Sequence, residues 1–376
     1  SLTATNINLY NSLTTTGSQT YTGAIKTYAD ITLSTGAGNI SYSSSILPDA
    51  TANNRQLIVN SSGNLTASGD IGSASYLFYN TTLSASAMQL NSSVNLYASN
   101  DQVLNPPINN NNNASTLNFN VYSGRHVSFG SSSSISATNG ALNVLLQADT
   151  NSNGNGIIQF QGSGITTNGG TFTTGAGSTM TSNGQTFLIG GDVYFNRNSG
   201  SLSINTSSST GGGNIAIKGE IMAAVPGGMT FNAGSGSITF SGVINSANKY
   251  SFVTGTAGAS NWDTARTEAT TGNTGAGLAV GDSYLVTITS RLENAVAGLT
   301  ANYAASWIGA YRPNLSLMNW QWADGPDSGK IFYVQGANSG GTAQGNGQVM
   351  AGWYSNFAPG EPNNWNNSES RGQFTG

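Results

Sequence analysis

Short runs of alternating apolar and polar residues, separated by glycine, serine and asparagine, make up the first two thirds of the chain. The apolar positions are β-branched or aromatic and often recur at every second residue, which is the pattern of a half-buried strand. No stretch of ten residues before residue 261 has the periodicity of a helix. The pattern predicts many short strands, of which the clearest are 6–10, 30–33, 39–42, 56–59, 117–121, 142–146, 157–160, 192–195, 214–217 and 237–240.

Strands this short cannot bury their apolar side chains singly, and their loose self-similarity predicts a parallel β-solenoid whose stacked turns share one core. At roughly 20 residues per turn the segment would form about 12 turns, and at ~4.8 Å between turns it would be ~55–60 Å long. An antiparallel array of sandwiches is the alternative, but the turns are too irregular for repeated two-residue hairpins. Segments 47–55 and 101–115, which contain prolines, are predicted to be loops that leave the solenoid.

Charged residues are scarce, at 7% of the chain against roughly 25% in an average soluble domain. The net charge of −4 and the absence of a basic patch argue against nucleic-acid binding. No run approaches the ~18 apolar residues of a membrane helix, and no signal peptide is recognisable at Ser1. There is no cysteine, which excludes disulfides and thiolate chemistry.

The density of charge changes near Ser246. Residues 1–248 contain 12 charged residues, whereas residues 249–376 contain 14 in about half the length. We therefore predict two domains, 1–248 and 249–376.

Two stretches of the first domain carry a family resemblance. SLTTTGSQTYTGAIKTYADITLSTGAGNISY (residues 12–42) and VSFGSSSSISATNGALNVLLQADTNSNGNGIIQFQGSGITTNGGTFTTGA (residues 127–176) resemble the repeats of bacterial filamentous-haemagglutinin-type exoproteins. The resemblance implies a right-handed parallel β-helix over residues 1–248, secretion to the cell surface, and an adhesive or fibre-forming role. The secretion-type N-terminal cap of that family is not recognisable, as expected for an internal piece of a larger protein.

The second domain has a different pattern, with helical periodicity and tryptophans. A helix is predicted to begin at Trp262, and residues 284–288 are predicted to form a strand. Ser290 and Glu293 form the S-x-x-E capping box of a second helix. An apolar stripe then follows along one face of that helix, made of Leu292, Val296 and Leu299.

Five stretches, in order, resemble the C-type lectin-like domain: YSFVTGTAGASNWDTARTEA, SYLVTITSRLENAV, SWIGAY, NWQWADG and APGEPNN. The resemblance implies a small α/β fold with two helices and a long loop region. It also implies a closing strand with the sequence Trp-Asn-Asp, which does not appear before Gly376, so the last strand is expected to be missing. The tryptophans at 262, 307, 320 and 322 are predicted to be core residues.

The candidate chemistry lies in the sequence around Glu361-Pro362-Asn363. An X-Pro bond adopts the cis form far more readily than other peptide bonds, and such a turn can aim the oxygens of Glu361 and Asn363 in one direction. Carboxylate and amide oxygens are the ligands that calcium prefers, and Glu369 is a third donor. The resemblance implies the same set, so Ca²⁺ is the expected cofactor, with ligands Glu361, Asn363 and Glu369.

A sugar is the corresponding ligand. Its hydroxyls would complete the calcium shell and hydrogen-bond to Glu361 and Asn363, while Trp365, Trp353 or Tyr354 stacks on the sugar ring. The alternative is that the EPN sequence shapes a loop and binds nothing, and that these aromatic residues belong to the core. Asp324 and Asp327 lie where some relatives bind a second calcium, or else in a solvated turn.

Catalysis has little support in the sequence. His126 is the only histidine and is predicted to be a surface or packing residue. The seven carboxylates of the first domain are scattered, although stacked turns can align some of them; these are Asp30, Asp49, Asp70, Asp101, Asp149, Asp192 and Glu220. A polysaccharide-degrading enzyme therefore stays a remote alternative, and we expect no enzymatic activity.

The sequence as a whole favours a secreted or surface-exposed bacterial adhesin, or an extracellular filament subunit. In this interpretation the solenoid is the shaft and self-associates into a fibre, because solenoid ends expose unpaired strand edges. The alternative function is a calcium-dependent carbohydrate-binding module. Glycans are the other expected partners, with no nucleic acid and no membrane span.

Overall fold

The chain folds into two compact units, Ser1–Asn248 (unit 1) and Lys249–Gly376 (unit 2). The computed structural model describes residues 1–110, 114–182, 185–246, 250–254, 261–271, 283–316, 318–336, 347–358, 361–362 and 369–374. The strands of unit 1 are, in chain order, β1 (Leu2–Leu9), β2 (Leu13–Thr15), β3 (Gln19–Thr27), β4 (Ile31–Thr35), β5 (Ile40–Tyr42), β6 (Ile46–Pro48), β7 (Leu57–Ser61), β8 (Asn64–Ala67), β9 (Thr81–Ser84), β10 (Ala87–Leu90), β11 (Val94–Ala98), β12 (Gln102–Leu104), β13 (Pro107–Asn110), β14 (Leu117–Ser123), β15 (Val127–Phe129), β16 (Ser134–Ala137), β17 (Leu142–Gln147), β18 (Ile158–Phe160), β19 (Gly164–Thr166), β20 (Phe172–Thr174), β21 (Ser178–Ser182), β22 (Gln185–Ile189), β23 (Val193–Asn196), β24 (Leu202–Asn205), β25 (Ser207–Ser208), β26 (Gly211–Gly212), β27 (Ile215–Ile217), β28 (Ile221–Ala224), β29 (Met229–Asn232), β30 (Ile238–Phe240) and β31 (Ile244–Ser246).

Unit 1 is a parallel β-solenoid of about nine turns. Its strands stack on three faces. Face A follows the order β1-β3-β5-β8-β10-β13-β16-β19-β24-β29, face B continues from β6 into β11-β14-β17-β20-β27-β30, and face C follows β2-β4-β7-β9-β12-β15-β18-β23-β28-β31. Pairing along all three faces is parallel, and antiparallel pairing in the described part of unit 1 is confined to the hairpins β21–β22 and β25–β26.

The solenoid prediction is confirmed, and the sandwich alternative is wrong. All ten strands predicted from the pattern are present, with boundaries shifted by four residues or fewer.

The turns are longer than the sequence suggested, so the prediction of about 12 turns is wrong. On face B, residues that occupy the same position in successive turns are Ile46, Ile71, Leu96, Val121 and Leu146, a spacing of 25 residues. Three faces with three corners need this many residues, and the hairpins β21–β22 and β25–β26 lengthen two later turns further.

The core of unit 1 is a stack of inward-pointing side chains in columns, by which we mean residues at equivalent positions in successive turns. The face B column of isoleucine, leucine and valine is fully buried. Face C has a column of phenylalanines, in which Phe160 lies between Phe129 at 5.1 Å and Phe195 at 6.3 Å between ring centroids. Stacking like residues on like residues gives every turn the same cross-section, which is what a continuous parallel ladder requires.

Segment 101–115 contributes two strands to the solenoid, so its prediction as a loop is largely wrong, whereas segment 47–55 ends a strand at Pro48 and continues as a loop from residue 49, largely as predicted. Residues 46–48 form β6 and residues 102–104 and 107–110 form β12 and β13, while only the 3₁₀ turn Thr51–Asn53 and its flanks leave the face. Pro107 is accommodated because it begins its strand. Asn110 points inward, and its amide donates to the carbonyls of Gly140 (3.3 Å) and Ala141 (3.2 Å). Residues 111–113 lie outside the described residues.

Glycine forms one corner of the later turns because backbone packs directly on backbone there. A Cβ atom on Gly219 would lie 2.4 Å from the amide nitrogen of Asp192. A Cβ on Gly242, one turn later, would lie 2.1 Å from the carbonyl oxygen of Gly219. Any larger residue would push adjacent turns apart at this corner.

The described residues of unit 2 form two helices and an antiparallel sheet. The sheet order is β35-β34-β33-β32-β36. The elements are α1 (Trp262–Thr271), α2 (Arg291–Thr300), β32 (Ser306–Tyr311), β33 (Asn319–Trp322), β34 (Ile331–Val334), β35 (Gln348–Val349) and β36 (Arg371–Phe374). Neither α1 nor α2, the helices of the described chain, has the length and apolar character needed to cross a bilayer.

Both helices begin where the sequence predicts. Ser290 is the N-cap of α2, and its side chain accepts a hydrogen bond from the Glu293 amide at 3.1 Å. Glu293 Oε2 in turn accepts from the amide of Thr289 at 2.6 Å, one residue before the position expected for a capping box. The strand predicted at 284–288 is wrong: this segment lies beside β32, where the Gly309 amide donates to the Val286 carbonyl at 2.9 Å, without a strand ladder.

The tryptophans of unit 2 are largely core residues, as predicted. Trp262, Trp320 and Trp322 are buried, and Trp307 is half-buried. Trp262 donates its indole N–H to the Ile308 carbonyl at 2.7 Å, which ties α1 to the sheet.

Candidate functional site

Four of the solenoid carboxylates occupy equivalent positions in different turns, although they are scattered in the sequence. Asp30, Asp101 and Asp192 each immediately precede a strand of face C, and Glu220 does the same. An oxygen of Asp30 accepts the Gln56 amide at 3.0 Å, and an oxygen of Asp192 accepts the Glu220 amide at 2.8 Å. Each acceptor belongs to one turn and each donor to the next, so these carboxylates join successive turns.

Ion pairs with arginine hold Asp49 and Asp101 at the same corner. Arg55 donates to both oxygens of Asp49, at 3.0 and 3.1 Å, and this arginine holds the pKa of Asp49 down at about 2. Arg125 makes the corresponding two-point contact with Asp101, with 2.8 Å between Nε and Oδ1. The bonds seen at these positions are structural, and they link turns and corner loops.

His126 lies in the same column as Asp101 and is buried, with 1% of its surface exposed. Of the two predicted roles, surface or packing residue, the packing role is confirmed. Its Nδ1 accepts the amide of Ile157 at 3.3 Å, one turn later. Burial lowers the pKa of His126 to about 4; the Asp101 carboxylate opposes this shift and the Arg125 guanidinium adds to it. The imidazole is therefore neutral near pH 7 and acts as a hydrogen-bond acceptor between turns.

The candidate calcium site of unit 2 is described in part. The Glu361–Pro362 bond is cis, and the Glu361 amide donates to the Ala358 carbonyl at 2.8 Å. Asn363 and Trp365, the predicted ligand and sugar-stacking residue, lie outside the described residues. The residues of this site that the structure places are thus Glu361 and Glu369.

Glu369 stands beside a buried cation. Oε2 of Glu369 is buried and has no hydrogen-bond partner among the described residues. Arg312, which is 1% exposed, donates from Nη1 to the backbone carbonyl of Glu369 at 3.3 Å and to Gln335 Oε1 at the same distance. Burial lowers the pKa of Arg312, and the Glu369 carboxylate opposes that shift. A metal ion at Glu369 would have to compete with this guanidinium.

The second predicted calcium region has a different role for one of its two carboxylates. Arg266 of α1 donates to both oxygens of Asp324, at 2.8 and 2.7 Å. Asp324 is therefore an ion-pair partner that joins α1 to the end of β33, which neither predicted role anticipated. In the part of the chain that the structure describes, no three acidic or histidine side chains are grouped as metal ligands.

The aromatic residues of unit 2 pack mainly against one another and against arginine. The Trp262 ring stacks on Tyr311 at 5.6 Å, and the Arg371 guanidinium lies 4.6 Å from the Trp262 ring centroid. Tyr354, one of the residues proposed to stack on a sugar, is buried, and Trp353 is half-buried. These contacts stabilise the fold. The contact of Arg371 with Trp262 links residues more than 100 positions apart, and sequence patterns do not reveal it.

Fold and contacts define the class of this protein: a parallel β-solenoid joined to a small α/β unit. Comparison with protein-family models, with curated proteins and with solved structures gives no match.

Proposed function

We propose that this chain is a secreted bacterial surface adhesin or extracellular filament subunit without enzymatic activity. In this proposal the solenoid, wound right-handedly, is a shaft, and unit 2 is a C-type lectin-like domain displayed from it. The observation that carries the proposal is the continuous parallel ladder along three faces. Hydrogen bonds between side chains and backbone support it from turn to turn, such as the one that the Glu220 amide donates to the Asp192 carboxylate. Such a structure extends in one direction by adding identical turns, which is what a shaft needs.

The last turn of the solenoid supports self-association. β29, β30 and β31 end faces A, B and C in the described chain, so one edge of each has no strand paired to it there. Ile238 and Ile244 continue the inward columns of Ile215 and Ile221, yet they are 42% and 58% exposed. An unpaired edge with apolar side chains is a template for a further strand, and a turn from a second copy would bury both isoleucines.

Electron microscopy of the purified full-length chain tests this assembly. We expect fibres from the wild type and dispersed particles from Ile238→Asp, because the substitution puts a charge into the column that the next turn must cover. Thr239→Asp is the matched control, since Thr239 is the outward-facing neighbour on the same strand and should leave fibres intact. Dispersed wild-type particles, or fibres from Ile238→Asp, would refute self-association through this edge.

The lectin-like assignment of unit 2 rests on the order of its elements. Two helices precede the sheet, the SWIGAY stretch forms β32, the NWQW stretch forms β33, and the cis proline of the EPN stretch follows. This order matches the five stretches on which the resemblance depends. Attachment of cells that display the full chain, compared with cells that display residues 1–248, tests the adhesive role; equal attachment would contradict it.

Calcium-dependent sugar binding by unit 2 is a second proposal, favoured by one observation. The buried Oε2 of Glu369 has no hydrogen-bond partner among the described residues, and a cation bound with Glu361 and Asn363 would satisfy it. Calorimetric titration of the full chain with calcium tests this. We expect one site in the wild type and its loss in Glu361→Gln, while Glu268→Gln, on α1, should bind normally. No heat of binding in the wild type, or equal binding by Glu361→Gln, would exclude the site.

A further inference from the structure

Three tyrosines surround one lysine on the outside of unit 1; we call Tyr10, Lys26, Tyr28 and Tyr76 the tyrosine cluster. The rings of Tyr10 and Tyr28 stack at 4.8 Å between centroids with 14° between their planes. The Lys26 ammonium lies 5.5 Å from the Tyr28 ring centroid and 5.9 Å from that of Tyr76. Tyr10 is 59% exposed and Tyr76 is 41% exposed. The cluster thus combines a cation with exposed aromatic surface.

Backbone hydrogen bonds hold the cluster in place. The Tyr28 amide donates to the Leu9 carbonyl at 2.8 Å, which fixes Tyr28 against the preceding turn. Tyr76 lies in a corner loop closed by mutual backbone bonds with Ser73, at 2.9 and 3.2 Å. The Thr51 hydroxyl, one turn earlier, accepts the amide of Leu77 at 2.9 Å and holds this loop against its neighbour. Because the backbone of the loop is fixed, binding there would cost little ordering entropy.

Lys26 differs from the arginines of the solenoid corner in its pairing. Arg55 is bound to Asp49 and Arg125 to Asp101. Lys26 forms no ion pair with a carboxylate among the described residues of unit 1. Its contacts are with the aromatic rings, and cation–π contacts leave the N–H donors of an ammonium able to meet an anion. A positive charge in a chain of net charge −4 is thus available to a ligand at this point.

We propose that the tyrosine cluster binds a sugar residue that carries one carboxylate, as part of an acidic polysaccharide. The apolar face of a pyranose ring packs on an exposed aromatic ring, as Tyr10 and Tyr76 provide, and tyrosine hydroxyls hydrogen-bond to sugar hydroxyls. The ammonium of Lys26 meets the carboxylate as a compact point charge. A single lysine matches a single carboxylate, which favours a carboxylated sugar over a densely sulfated one.

This site lies in unit 1 and requires neither calcium nor unit 2. It therefore goes beyond the proposed adhesin function: the shaft itself would hold an acidic glycan along its side. If the tyrosine cluster binds no glycan, the proposals of fibre assembly and of a displayed unit 2 are unaffected. If those two proposals fail, glycan binding by the cluster is likewise unaffected.

Calorimetric titration of the full-length chain in EDTA tests the proposal, with trigalacturonate and its uncharged methyl ester as probes. We expect the acid to bind roughly fivefold more tightly than the ester, the scale of one exposed ion pair. Lys26→Met keeps the aliphatic stem and should abolish this preference. Tyr10→Ala should weaken both probes roughly five- to tenfold, the scale of one aromatic contact.

Two matched variants serve as controls. Lys218→Met removes the other lysine of the solenoid. Tyr122→Ala removes a tyrosine of β14, on face B, which stacks on Tyr97 at 4.8 Å and is not part of the cluster. Both should bind the acid as the wild type does. The proposal is overturned if wild type binds acid and ester equally, if neither binds in the millimolar range, or if Lys26→Met retains the preference. Loss of binding in both controls would likewise overturn the assignment to this cluster.

Discussion

The buried histidine makes the stability of the solenoid depend on pH in a defined window. His126 accepts a hydrogen bond from the next turn through Nδ1, and burial lowers its pKa from an ordinary 6.5 to about 4. The folded state therefore keeps the imidazole neutral over a range in which the unfolded chain protonates it. Above pH 6.5 both states are neutral and the full stability is present; as pH falls from 6.5 to 4, protonation favours the unfolded chain.

The size of this loss follows from the shift in pKa. A difference of about 2.5 pKa units corresponds to about 3 kcal/mol of unfolding free energy, lost progressively between pH 6.5 and 4. Below that window the Asp49 carboxylate, whose pKa Arg55 holds at about 2, adds a separate loss. The two contributions are separated by pH, so a stability profile resolves them.

His126→Asn is the informative variant. An asparagine Oδ1 occupies nearly the same place as the histidine Nδ1, and Asn80 in the same column already accepts the next turn's amide from Asp101 at 3.1 Å. The variant keeps the bond between turns without a group that titrates. We expect the wild type to lose about 3 kcal/mol between pH 7 and 4, and the variant to lose much less over that interval.

Urea unfolding followed by two signals measures this loss and provides an internal control. Far-UV circular dichroism reports mainly on the strands of unit 1. All six tryptophans lie in residues 249–376, so tryptophan fluorescence reports on unit 2 and should not respond to the substitution. Because the chain has one histidine, its NMR titration is unambiguous. A folded-state midpoint near 6.5, or equal slopes for wild type and variant, would refute the reasoning.

Three further predictions concern packing and capping. Gly219→Ala should lower the unfolding free energy of unit 1 by at least about 2 kcal/mol, because the added Cβ meets backbone. Gly17→Ala is the control: a Cβ there has nothing within 4 Å, so the unfolding free energy in the same circular-dichroism assay should change by no more than about 0.5 kcal/mol. Equal losses for the two variants would show that the corner relaxes. Phe160→Leu should cost about 1–2 kcal/mol by loss of ring contacts in the face C column, and an unchanged urea midpoint would contradict that packing. Ser290→Ala should lower the stability of unit 2 by about 1 kcal/mol and Ser290→Asn should not, as tryptophan fluorescence can measure; equal midpoints for both variants would show that the cap contributes nothing.

Strands were predictable because their signals are local. Alternation of apolar residues and the turn residues between runs are read within five to ten positions, and the capping box at Ser290 within four. Register is not local. Whether 101–115 leaves the solenoid depends on Asn110 reaching carbonyls about 30 residues away, and the number of turns depends on the length of every corner.

In the candidate sites, too, local features were predictable from the sequence and contacts between distant residues were not. The cis bond before Pro362 agrees with the prediction of a turn at the EPN sequence. The approach of Arg312 to Glu369 spans 57 residues, and that of Lys26 to Tyr76 spans two turns. Neither contact has a sequence signature, because each depends on which distant positions the tertiary fold brings together.

The 25-residue spacing of Ile46, Ile71, Leu96, Val121 and Leu146 has a genetic consequence. In-frame duplication or deletion of a 25-codon block whose two ends lie at successive positions of this face B series adds or removes one whole turn, which preserves the inward columns and changes the length of the solenoid by one step of ~4.8 Å. Lineages can therefore lengthen or shorten this part of the solenoid by recombination between repeats, without disturbing the corners on either side. Insertions of other sizes must bulge outward as loops.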